Sequence, residues 1–347
     1  MNTYVSTCTP GTSEIVKKII SEQINAQFVL ELDGYLMYES DATPSEVKQI
    51  RGLYDSLYVL ESHRDLGENG LTTMLHSACR TPDLVNSLNK FYYKRKVTLR
   101  VRCVSVEGEA VFEKRDVDTF EKKLLSSNTK VRINRRLPDN EVWFLLNKEG
   151  FGCVGVRLTM TKKIASEDMG ADYLPPEFAH ILCFLSDPNL ADVVLDPFAG
   201  KGAIVLARTN FKSKEILAID NVKSLVSALE KKIKEQDRKV VARKGDGISL
   251  FGIADSSIDK IITDPILRLV EVEEAGLVKF YTKMLKEFVR LLNDKGSVVL
   301  VCDHREIIER IANEKRDELL IVYSSDVIIG PRTCCVFKLE KVTSVKQ

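Results

Sequence analysis

Val193-Val194-Leu195-Asp196-Pro197-Phe198-Ala199-Gly200-Lys201-Gly202 is a short apolar run that stops at an acid and a glycine-rich turn. A helical pattern over 203–209 follows. The same unit then recurs. Ile216-Leu217-Ala218-Ile219 ends at Asp220 and leads into a helical stretch from Ser224 to Glu235, whose Leu225, Ala228, Leu229 and Ile233 share one face. Val240–Arg243 leads to Gly245-Asp246-Gly247, and Ile258–Ile262 to Thr263-Asp264-Pro265. An amphipathic helix over 278–292, a β-branched run over 297–302 and a helix over 306–315 come next. Two strands, 318–324 and 333–339, close the chain. Apolar strands alternating with helices predict a parallel sheet covered on both faces. Ligands of such sheets sit beyond the carboxyl ends of the strands, at the switch point. Asp196, Asp220, Asp246 and Asp264 stand at four of those ends, a row of acids on one rim.

Three glycine-rich binding patterns compete for this rim. A phosphate loop needs G-x-x-x-x-G-K-[S/T], and the residue five before Gly200 is Leu195. A dinucleotide fingerprint needs a third glycine where Val205 stands, and it would set the Asp196 anion beside a pyrophosphate. S-adenosylmethionine is cationic and tolerates an acid beside the turn. Gly200 and Gly202 let the backbone approach it. Asp220 can accept from ribose hydroxyls, and Asp246 from the adenine amine.

Upstream, the 347-residue chain divides further. Its 44% apolar and 29% charged residues fit a folded chain, and no apolar run nears the ~18–20 residues of a membrane span. Residues 1–65 carry a helix over 13–23, strands at 28–32 and 35–38 flanking Asp33-Gly34, a helix from Pro44 and a strand over 56–61, which predict a ferredoxin-like domain. A connecting helix over 68–89 follows. Residues 86–163 hold eighteen basic and nine acidic residues, a net +9 hidden in a chain total of +1. Strands at 97–106, 130–135, 141–148 and 152–159, with a helix at 116–125, predict a small basic α/β module. Lys94-Arg95-Lys96, Arg135-Arg136 and Lys162-Lys163 are its densest clusters. A linker is expected over 163–176. Eight scattered cysteines without C-x-x-C, away from the four histidines, predict buried free thiols, no metal site and a reducing cytoplasm.

Asp196–Gly202 resembles the cofactor-binding first motif of Rossmann-fold class I methyltransferases. Leu174-Pro175-Pro176-Glu177-Phe178-Ala179 resembles the helix that precedes it in the RNA N2-guanine methylases. Residues 97–106 and Val154-Gly155-Val156-Arg157-Leu158-Thr159 resemble a THUMP RNA-binding module, and Thr9-Pro10-Gly11 the ferredoxin-like leader before it. The three-part order is similar to that of the tRNA (guanine-N2)-methyltransferases that act at acceptor-stem position 6. The resemblance implies three domains: a ferredoxin-like leader (1–65), THUMP with its connecting helix (66–163) and a Rossmann-like catalytic domain (164–347). It implies S-adenosylmethionine held by Asp196, Pro197, Phe198, Ala199, Gly200, Gly202, Asp220, Asn221, Asp246 and Gly247. It implies tRNA bound through Lys94, Arg95, Lys96, Arg135, Arg136, Arg157, Lys162 and Lys163, and a monomeric protein without metal or membrane.

The family's fourth strand ends in [N/D]-P-P-[Y/F/W]. Carboxylate or amide oxygen and a backbone carbonyl accept the exocyclic amine, and the aromatic stacks on the flipped base. Asp264 and Pro265 match as catalytic residues. Ile266 and Leu267 replace the second proline and the aromatic, which puts base stacking worth ~1–3 kcal/mol in question. Phe198, Phe280 or Tyr281 supplying the face, a different target atom, or a non-catalytic RNA-binding protein all remain open. A DNA amine methyltransferase would leave the leader and basic module without a role.

Overall fold

The computed structural model describes residues 1–91, 96–106, 111–159, 174–234, 240–265 and 273–342. Two compact units emerge. One joins Met1–Cys8 to Lys17–Asp168, and the other joins Thr9–Val16 to Met169–Gln347.

The first unit is built on one sheet. Its elements are β1 (Asn2–Thr7), α1 (Ser13–Gln23), β2 (Ala26–Leu32), β3 (Tyr35–Ser40), α2 (Pro44–Gln49), β4 (Asp55–His63), α3 (Gly70–Arg80), α4 (Asp83–Phe91), β5 (Val97–Ser105), α5 (Lys114–Ser127), β6 (Val131–Ile133), β7 (Asn140–Leu146) and β8 (Gly152–Arg157). Asp33-Gly34 turns β2 into β3, with Gly34 at φ +75°. Thr43 and Glu46 form a reciprocal capping box that starts α2. The eight strands run in the order β2-β3-β1-β4-β8-β7-β5-β6.

Three features differ from the sequence reading. Asn2–Thr7 is a strand, and it pairs on both sides, with β3 and β4. The connecting helix is two helices, broken around Thr81-Pro82, where proline has no N–H to continue the ladder. Strand β4 pairs with β8, so residues 1–65 and 66–163 share one continuous sheet.

Strands β4, β5, β7 and β8 carry a buried polar network. Glu141 is fully buried and accepts from Trp143 Nε1 at 2.9 Å, Arg157 Nη1 at 2.9 Å and the Arg100 guanidinium. Arg157 also bonds Asp55, and its guanidinium lies 4.7 Å from the Trp143 ring centroid. Glu141→Ala would remove the carboxylate that Arg100 meets and leave Arg157 with Asp55. It is expected to cost about 3–5 kcal/mol, read from urea unfolding of the full chain followed by Trp143 fluorescence.

The second unit contains α6 (Pro176–Leu185), β9 (Val193–Asp196), α7 (Ala203–Arg208), β10 (Glu215–Asp220), α8 (Lys223–Lys234), β11 (Val240–Lys244), β12 (Ile258–Thr263), α9 (Glu274–Leu291), β13 (Leu292–Cys302), α10 (Arg305–Glu314), β14 (Leu319–Ile329) and β15 (Arg332–Lys341). Its sheet runs β11-β10-β9-β12-β13-β15-β14. Strands β9 to β13 are parallel, and β15 is antiparallel to β13 and β14. Helices cover both faces. Leu285, Phe288 and Ile308 of α9 and α10 pack on one side, and Phe178, Val205 and Leu229 of α6, α7 and α8 on the other. The order reverses at β9, which puts the switch point at Asp196.

Thr9–Val16 joins this unit through β14. Ser325 Oγ donates to the Gly11 carbonyl at 2.7 Å. Gly11 has φ +87°, and a Cβ there would stand 1.8 Å from the Asp326 carbonyl oxygen. No helix among the described residues is long and apolar enough to cross a membrane. All eight cysteines are free, and six are buried.

Candidate active site at the carboxyl ends of the second sheet

Parallel pairing aligns the ends of β10, β9 and β12. Asp196 closes β9 and is buried. Its Oδ1 accepts from the Phe198 amide at 3.2 Å and from Thr263 Oγ1 at 3.0 Å. Burial pushes its pKa up to about 7, the two hydrogen bonds oppose this, and the charges of Asp264 and Asp220 add to the rise.

The glycine-rich turn is held by the neighbouring strand. Ala199 N donates to Ile219 O at 2.9 Å. Gly200 N donates to Asp220 Oδ2, and Val222 N to Asp220 Oδ1, each at 2.8 Å. The two glycines serve different ends. A Cβ on Gly202 would stand 2.4 Å from Leu229 Cδ1, so Gly202 lets α8 pack closely. Gly200, at φ +50°, faces open space, with no atom within 4 Å of a built Cβ. Next along the rim, Gly245 N donates to Asp220 O at 3.0 Å, and Gly247 lies against Pro197 and Phe198, where a Cβ would stand 2.5 Å from Pro197 O. Asp246 and Asn221 are exposed beside this ledge.

Asp264 follows β12 and is buried, as is Pro265. Arg332, the first residue of β15, clamps it: Nη1 donates to Oδ2 at 2.7 Å and Nη2 to Oδ1 at 2.8 Å. Arg332 Nε also donates to Asp303 Oδ1 at 2.6 Å. Burial pushes the Asp264 carboxyl up, and the Arg332 bonds and charge pull it back. A file of rings runs beside this end, with centroids 5.9 Å apart for Phe198 and Phe280, 5.4 Å for Phe280 and Tyr281, and 6.2 Å for Tyr281 and His304.

The twelve residues expected at the rim, from Asp196 through Pro265, thus lie at the carboxyl ends of β9, β10, β11 and β12. The expected cation set fares differently. Lys94, Arg95, Lys162 and Lys163 lie outside the described residues, as do Ile266 and Leu267. Lys96 is exposed and lines a groove of about 240 Å³ with Thr129, Lys130 and Arg132. Arg136 is exposed, whereas Arg135 is paired with Asp118 and Glu121. Arg157 is a correction: it is buried, held by Glu141 and Asp55, and does not face solvent as a phosphate contact would. The sequence reading missed Thr263 as a tie to Asp196, and it missed Arg332 and Asp303. A hydroxyl beside Asp264 was a signal for the first. Arg332 had none, because it meets Asp264 across 68 residues of chain.

No protein-family profile and no curated protein sequence matches the chain. Solved structures do. TrmN from Thermus thermophilus superposes with a TM-score of 0.76 at 19% identity, over 99% of this chain and 100% of that one. The fold is that of the Rossmann-like methyltransferases. A possible methylase from Clostridium difficile 630 gives 0.69 at 13% identity, over 100% and 99% of the two chains. SMU.472, a candidate methyltransferase solved with SAH bound, gives 0.68 at 11% identity, over 97% of each. At these identities the likeness is one of fold. Among the described residues no cluster of His, Cys, Asp and Glu could hold a metal ion.

The raised Asp196 has a stability consequence with a definite sign. The unfolded chain releases this proton near pH 3.9, and the folded chain holds it to about pH 7. The group's contribution is therefore complete below about pH 4 and falls as pH rises towards 7. Asp196→Asn is expected to remove that fall, seen as a flatter dependence of urea midpoint on pH than in the unaltered protein.

Proposed function

We propose that this chain transfers the methyl group of S-adenosylmethionine to the exocyclic N2 of a guanine in tRNA, in the acceptor stem at position 6. One observation carries the proposal. Asp220 holds the amide of Gly200, whose α-carbon faces open space on a strand-end rim that also carries Asp196 and Asp246, on a fold that matches TrmN along its whole length.

The residues fit the cofactor. Gly200 leaves room against its backbone where a side chain would intrude. Asp196, once ionised, offers an anion to the cationic methionine moiety. Each Asp220 oxygen accepts one amide and retains a lone pair for a ribose hydroxyl. Asp246, exposed at the next strand end, can accept from the adenine amine. When bound, S-adenosylmethionine supplies an electrophilic methyl group. The chain's own task is then placement. The exocyclic amine of guanine is a poor nucleophile, because its lone pair is delocalised into the ring. Asp264 and the Pro265 carbonyl accept its N–H bonds and aim nitrogen at the methyl. Phe198 and Phe280, both half-buried, stand at the same rim and can offer the flipped base a ring face that Ile266 and Leu267 lack.

The tRNA body is held by the basic first unit, with Lys96 and Arg136 among its exposed cations. Contacts to ~4–6 phosphates give a log–log salt slope of roughly −3 to −5, and tRNA binding is expected to weaken accordingly between low and physiological salt. Binding that is flat over that range counts against this face.

A second reading is a non-catalytic RNA-binding protein that retains the fold. Arg332 favours it, since both Asp264 oxygens already accept from a guanidinium. Labelled methyl transfer to bulk tRNA lacking the modification separates the two, with nucleoside mass spectrometry identifying the product. Asp264→Ala is expected to abolish transfer while leaving calorimetric cofactor affinity within a few-fold. Transfer at the normal rate in that variant removes Asp264 from the reaction.

A further inference from the structure

We infer that Arg332 is a positioning residue for methyl transfer: the guanidinium delivered by the β14–β15 hairpin holds Asp264 in one orientation and preserves it as a hydrogen-bond acceptor. The inference rests on the role given to Asp264 above.

The hairpin places Arg332 firmly. Ile329 pairs with Arg332 across the two-residue turn Gly330-Pro331, with Gly330 at φ +60° as such turns require. Strand β15 is then bonded to β13, and β13 to β12, so the start of β15 lies beside the end of β12. Asp303, at the end of β13, takes the Nε–H and fixes the guanidinium plane. Two Nη–H bonds remain directed at the two Asp264 oxygens.

This geometry leaves the carboxylate usable. A carboxylate oxygen accepts more than one hydrogen bond, so a bidentate arginine takes one position on each oxygen and leaves another for an amine. A protonated carboxyl would instead present an O–H donor to an amine that also donates. Asp264 has only 5% of its side chain exposed, a setting in which an unpaired carboxylate takes up a proton. Its other neighbours do not prevent this. Asp303 and Asp196 are acids, and Tyr281 of α9 and Cys334 of β15 are buried groups whose own ionisation burial suppresses. Arg332 is the cation among the groups that act on Asp264.

A tie that only braced the strand ends would change stability and leave the acceptor's protonation alone. The test uses the full chain labelled with ¹³C at the aspartate carboxyl carbons. The Asp264 resonance is identified by its loss in Asp264→Asn. In Arg332→Met it is expected to titrate at higher pH than in the unaltered protein, with Arg332→Lys between the two. In parallel, the acid limb of kcat for methyl transfer to unmodified tRNA moves by the same amount, while KM for S-adenosylmethionine holds. One unit of movement makes transfer on that limb about tenfold slower, with recovery at alkaline pH. Asp303→Asn, which removes a neighbouring like charge and keeps an oxygen for the Nε–H, is expected to move both the resonance and the acid limb slightly to lower pH. An unmoved resonance and acid limb in a folded, active Arg332→Met overturns the inference and leaves the role of Asp264 standing. Faster transfer than the unaltered protein at every pH also overturns it, because Arg332 then obstructs the site. No transfer by the unaltered protein overturns the functional reading instead, whatever the resonance does.

Discussion

The hydrogen bond from the Gly200 amide to Asp220 holds the rim together. It connects the turn after β9 to the end of β10, and the Thr263 hydroxyl continues the connection from Asp196 to the end of β12. Three strand ends are thus joined by side chains that are themselves candidates for binding. Such a ledge is stiff without being closed, and Gly200 leaves a gap in it rather than a wall. Burial supplies the electrostatic character. Asp196 and Asp264 sit in low-dielectric surroundings, where every neighbouring charge acts strongly.

The first unit solves a different problem. Its sheet combines a short antiparallel part with a basic part that contains the parallel pairs β5–β7 and β5–β6. The seam between them is β4 against β8. Glu141 and Asp55 gather arginines at and beside that seam, so some of the local positive charge is internal. The net charge of this segment therefore overstates the charge it shows to solvent.

Most of the second sheet was legible, because β9 to β12 are short runs that each lead into an acid or a glycine. The rim acids followed from the same rhythm. Strand β1 escaped detection because its polar side chains are satisfied inside the protein. Ser6 is fully buried and bonds the hydroxyls of Tyr38 at 3.0 Å and Ser56 at 3.1 Å. Read along the chain, Asn2-Thr3-Tyr4-Val5-Ser6-Thr7 is a polar terminus; read across the sheet, it is a central strand. Arg157 misled for the converse reason, a cation whose partners lie on other strands. Arg332 was invisible because two-residue hairpins say nothing about what stands on the far side of a neighbouring strand.

Gly11 gives the order of synthesis a bearing on assembly. Its carbonyl accepts from the hydroxyl of Ser325, 314 residues later, so the outer edge of the second sheet meets a segment synthesised long before it. Closing so long a loop is entropically slow, and such non-local contacts form late. A nascent chain must therefore keep residues 9–16 available until β14 emerges. The C-terminal half expressed by itself would end at a sheet edge missing its natural neighbour.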